Sequence, residues 1–169
     1  GGSVLADAGR STVHTGGGVH LASGEGTSTS SGAITIRSIN SGTSGVSGML
    51  VFSSGTSVQG NSGAIEIGSG AATGGRGGMV LMTAGSGTSG VGGSVQASAG
   101  RSTAQTGGGV SIASGEGTST SSGAITIRSI NSGTSGVSGM LIFSSGSAVS
   151  GNSGAIELGT GAATAGRGG

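Results

Sequence analysis

The chain has 169 residues, of which 44 are Gly, with no Pro, Cys, Trp or Tyr, two Phe, and 7% charged residues that leave a net charge of +1. That composition leaves too few large side chains to interlock into an ordinary globular core, and it excludes disulfides and thiolate metal sites. Six scattered Arg residues make no basic stripe for nucleic acid, and no apolar run approaches the roughly 20 residues of a bilayer span.

Self-similarity organises the rest. Residues 1–78 match residues 92–169 at an offset of 91, with 13 of the 78 paired positions differing. Inside this long repeat a shorter unit, here termed a rung, starts at Gly2, Gly17, Gly32, Gly48, Gly63, Gly78, Gly93, Gly108, Gly123, Gly139 and Gly154. Successive starts are fifteen positions apart, except that rungs 32–47 and 123–138 are one longer through the insertion of Gly42 or Gly133. The first long repeat thus covers 2–92 and a partial second one 93–169, and the chain reads as one continuous domain over 1–169. Both ends lie inside the pattern, so a segment of a longer protein is expected.

Taken in chain order, each rung opens with two residues of one face, spaced by two as in a strand. They are Val4 with Ala6, Val19 with Leu21, Ile34 with Ile36, Leu50 with Phe52, Ile65 with Ile67, and Val80 with Met82. The second long repeat continues with Val95 and Ala97, Val110 and Ile112, Ile125 and Ile127, Leu141 and Phe143, and Ile156 and Leu158. The first member of every pair, together with Phe52 and Phe143, forms the predicted core. Gly at the eighth position in nine of eleven rungs predicts a corner, with Ile39 and Ile130 in the two exceptions. A later column is Thr except for Val58 and Val149, and its methyl groups are expected to face the same interior. These features predict an all-β fold, a parallel two-sheet β-solenoid of about eleven 15–16-residue rungs, six to each 91-residue repeat, stacked at about 4.8 Å. Two aliphatics cannot offset the entropy of ordering a whole rung, so stability is expected from stacking.

Reactive chemistry finds little support. The sequence Gly85-Ser-Gly87-Thr-Ser-Gly90 has dinucleotide-site spelling, but Val91 to Val95 read as another strand where the phosphate site needs a helix. His14 and His20 become Gln105 and Ser111 in the second repeat, and neither has a third ligand nearby in sequence. Serine is abundant without a recurring base and acid. No catalytic, cofactor-binding or metal-ligating residue is therefore assigned, and no enzyme activity or cofactor is expected.

Outward positions of the predicted strand are more informative. Met49 and Val51, Met79 and Leu81, and Met140 and Ile142 stand where a water-facing sheet needs polar residues. Repetition of this apolar patch predicts a lateral contact between chains. Glu66 and Glu157 lie in the same column, where a covered carboxylate needs an Arg from a neighbour, and Arg37, Arg76, Arg128 and Arg167 are the candidates.

The runs Gly-Gly-Gly-Val-His-Leu-Ala-Ser-Gly at 16–24 and Ser-Gly-Ala-Ile-Thr-Ile-Arg-Ser at 31–38 resemble the Gly/Ser/Thr-rich short repeats of large secreted fibrous proteins of algae and other protists. A looser likeness is to plant-type ice-binding β-rolls. The first resemblance implies an extracellular or cell-surface structural role in a filament, hair, wall or adhesive fibre. Its partner would be the chain itself, end to end and laterally, with any glycan or surface ligand left open. The second implies ice binding, which requires a flat array of Thr columns; one interrupted column is present.

Overall fold

In the computed structural model, residues 2–169 are described. The predicted all-β solenoid is not what the chain forms: among these residues there is neither β-strand nor helix. A strand exists only where its backbone donors and acceptors meet a neighbouring strand. Here close approaches are overwhelmingly between residues fewer than twelve apart, so rungs do not run side by side over their length. Apolar alternation had specified a shared face, but it cannot supply the neighbour.

The chain divides into two units, Gly1–Leu81 and Met82–Gly169. The period found in the sequence persists within each as a repeated bend. In the first unit the chain bends at 12–14, 27–29, 43–45, 58–60 and 73–75. In the second it bends at 88–90, 103–105, 118–120, 134–136, 149–151 and 164–166. Every bend begins at the Thr/Val column, and the longer rungs shift it by the one inserted Gly.

Backbone hydrogen bonds show how a rung is closed. The N–H of Gly17 donates to the carbonyl of Gly9 at 2.8 Å, and Gly32 to Gly24 at 2.9 Å. In the second unit Gly93, Gly108 and Gly123 donate to Gly85, Gly100 and Gly115, each at 2.9 Å. The second half of such a rung is thus a loop whose two ends meet, a small Ω-type loop, rather than a second strand facing the first. Gly85 of the dinucleotide-like spelling serves as one of these acceptors.

Two devices hold the bends of the closed rungs. Ser11 Oγ accepts from the N–H of His14 at 2.9 Å and of Val13 at 3.4 Å, and Ser102 Oγ does the same for Gln105 and Ala104 at 2.9 and 3.4 Å. Such hydroxyl-capped turns replace backbone pairing locally. Where that position is Gly26 or Gly117, the chain folds back so tightly that a Cβ would meet the carbonyl of Ser30 or Ser121. Ser11, Gly26, Ser102 and Gly117 are the most covered of the described residues.

Candidate interaction surface

No described hydrophobic residue is buried, and the surface area decides how to read that. A compact folded monomer of this mass exposes about 7,100 Å², and an unfolded chain about 22,000 Å². This 15.2 kDa chain exposes 16524 Å². Its apolar side chains are covered by its own fold only in part.

The residues predicted as core all remain exposed. Ile34, Leu50, Val80 and Leu141 are the most covered of them at 48% exposure, followed by Ile125, Ile65 and Ile156. Phe52, Val110, Val95, Phe143 and Val19 are more open, and Val4 is almost fully so. In five rungs the small residues of the second half form a closed loop instead of a facing wall, so this column is covered only in part. Val58 and Val149 of the Thr/Val column are fully exposed at the bends, not directed into an interior.

The lateral set is more open than the column between its members. Met49 at 85% and Val51 at 63% flank Leu50, and Met79 and Leu81 flank Val80 in the same sense. Met140 and Ile142 flank Leu141 likewise in the second unit. Each arm therefore presents three consecutive apolar side chains to solvent. Glu66 lines a shallow hollow with Phe52, Ile65 and Ile67, placing a carboxylate beside apolar surface.

A second kind of hollow recurs once in each unit. Arg37, Ser38, Ile39 and Asn40 line one, and Arg128, Ser129, Ile130 and Asn131 line the other. Both occur in the longer rungs, where Ile replaces the corner Gly. Sequence reading singled out the Ile substitution and the extra Gly but did not join them to the Arg and Asn beside them.

Among the described residues no three His, Cys, Asp or Glu side chains gather as a metal site, and no helix is long and apolar enough to cross a membrane. No protein-family model matches the chain, and no curated protein or solved structure is significantly similar to it.

Proposed function

We propose that the chain is structural material: a segment of an extracellular filament, hair, wall or adhesive fibre that associates with copies of itself, without enzymatic activity. The observation that carries this reading is the 16524 Å² of exposed surface, more than twice that of a compact monomer of its mass. Apolar surface left in water favours association, and a repeat array offers the same patch at regular intervals. Met49, Val51, Met79, Leu81, Met140 and Ile142 are the proposed lateral contacts. Low charge supports the same reading, because little electrostatic repulsion opposes close approach of neighbours. The extracellular setting rests on the resemblance of the runs at 16–24 and 31–38 to secreted fibrous repeats.

Sedimentation and electron microscopy of the purified chain test the reading. The expected result is concentration-dependent assembly into elongated particles. The triple variant Val51→Ser, Leu81→Ser and Ile142→Ser is expected to lose lateral association, because each change removes an exposed aliphatic without touching a bend. A parent chain that stays monomeric at every concentration reached would refute self-association. A triple variant that assembles like the parent would move the contact elsewhere.

A further inference from the structure

Rungs 32–47 and 123–138 are identical residue for residue, and they lie in a stretch, 22–50 against 113–141, that none of the 13 repeat differences touches. Each of these rungs carries one charge, Arg37 or Arg128, and no acid. Beside the hollow that Arg37 or Arg128 lines, the backbone is held by one device used twice. Ser41 Oγ donates to the carbonyl of Gly45 at 3.2 Å, and Ser132 Oγ to that of Gly136 at 3.2 Å. Gly45 and Gly136 have φ of +145° and +141°, a conformation that side chains rarely adopt. The same seat is therefore built in both units. Its lining offers a guanidinium, a carboxamide and a hydroxyl, with no carboxylate, and such a donor set suits an oxyanion.

The chain itself holds the matching group. Of its four Glu residues, Glu25 and Glu116 sit between glycines at the start of loops. Glu66 is set among Phe52, Ile65 and Ile67, and Glu157 has Ile156 and Leu158 as its sequence neighbours. A carboxylate among apolar side chains loses water once a second chain covers it, and it then needs donors from that chain.

We propose that the Arg37–Asn40 and Arg128–Asn131 hollows are two copies of one carboxylate seat, occupied by Glu66 or Glu157 of a second copy of this chain. The inference rests on the self-association proposed above and names the contact that sets its register. The interval from Arg37 to Glu66 along the chain equals that from Arg128 to Glu157, and it spans about two rungs. Both seats therefore stand in the same chain relation to the carboxylate that follows them. Seat and carboxylate are different surfaces, and each copy carries two of both, so one copy can join more than one neighbour. A single ion pair in water adds little affinity, so its weight falls on alignment.

Charge reversal in trans tests this. Arg37→Glu with Arg128→Glu, and separately Glu66→Arg with Glu157→Arg, are each expected to raise the concentration needed for assembly by about ten-fold or more. An equimolar mixture of the two variants is expected to assemble within about three-fold of the parent, with both species in the same fibres. The control pairs the Glu-to-Arg variant with Arg76→Glu and Arg167→Glu, which carry the same charge change outside the hollow, and it is expected to stay impaired. Failure of the first mixture, or equal rescue by the control, overturns the seat while leaving apolar self-association intact. A parent that does not assemble removes both.

Discussion

Adjacent rungs 17–31 and 32–47 begin alike and close differently. Val19 and Leu21 in one correspond to Ile34 and Ile36 in the other, both pairs on the opening arm. The shorter rung then returns on itself, with Gly32 N–H bonded to the Gly24 carbonyl at 2.9 Å. In the longer rung Ile39 stands at the place of Gly24, and the chain is held later, by Ser41 and the positive φ of Gly45. One rung becomes a closed loop that offers its polar atoms to itself. The other leaves a hollow lined by Arg37, Ser38, Ile39 and Asn40. The two rungs thus differ in how the backbone is held, one by an amide-to-carbonyl bond between glycines and the other by a Ser hydroxyl and a Gly of positive φ.

The sharpest way to break this contrast is at Gly26. A Cβ there would overlap the Ser30 carbonyl, so Gly26→Ala must open the bend, at a cost of about 1–3 kcal/mol of local stability. The expected readout is faster amide exchange at Gly32, whose donor closes that loop, with no change at Gly45. Gly117→Ala should act on Gly123 in the same way. Unchanged protection of Gly32 would mean that the loop closes without the tight bend.

The converse change addresses the open rung. Gly45→Ala places a side chain at φ +145°, where about 1–3 kcal/mol of strain is typical, although the space itself is free. Loss of the Ser41 to Gly45 bond is expected, seen as a shift of the Ser41 hydroxyl-proton and Gly45 carbonyl resonances. The loop at 24–32 should stay closed. Coupled loss of both would show that neighbouring rungs share one cooperative unit.

How much of this was legible follows from what each residue type determines. The period was fully readable, because Thr or Val recurs at the first residue of every bend and the inserted Gly42 and Gly133 displace the bend by one. First-position glycines were readable as punctuation too, and Gly17, Gly93 and Gly108 each pack near the backbone of the preceding corner Gly. The β class was misread. Val4 to Leu158 alternate as strand residues do, yet alternation specifies a face and says nothing about whether backbone groups find a ladder. A two-sheet solenoid requires a second strand in the later half of each rung, whereas the small Gly, Ser and Ala residues there equally suit a loop whose ends touch. Apolar patches such as Met49 with Val51 were legible by type alone. The Arg37 hollow was not, because the grouping of Arg37, Ser38, Ile39 and Asn40 around one recess is set by the course of the backbone.

The smallest expected effect distinguishes the two ways of making a bend in the closed rungs. Ser11 caps its bend through bonds to the amides of Val13 and His14, while Gly26 needs no cap because the chain itself folds close. Ser11→Ala removes an acceptor from two amides that water can reach, so the loss is about 0.5–1 kcal/mol, near the low end for a hydrogen bond. The His14 amide should exchange faster, and the Gly17 to Gly9 closure should weaken without disappearing. Ser11→Gly is the informative companion. If it restores protection at Gly17 to the parent level, the chain has adopted the tight bend of the neighbouring rung, and the two devices are interchangeable solutions at one position. If protection stays low, the residues after the bend decide: Thr15 and Gly16 in the first rung would not support the close return that Ser30 and Ser31 provide in the second. The variable rungs would then be fixed by their second halves, and the invariant third rung would owe its hollow to the same rule.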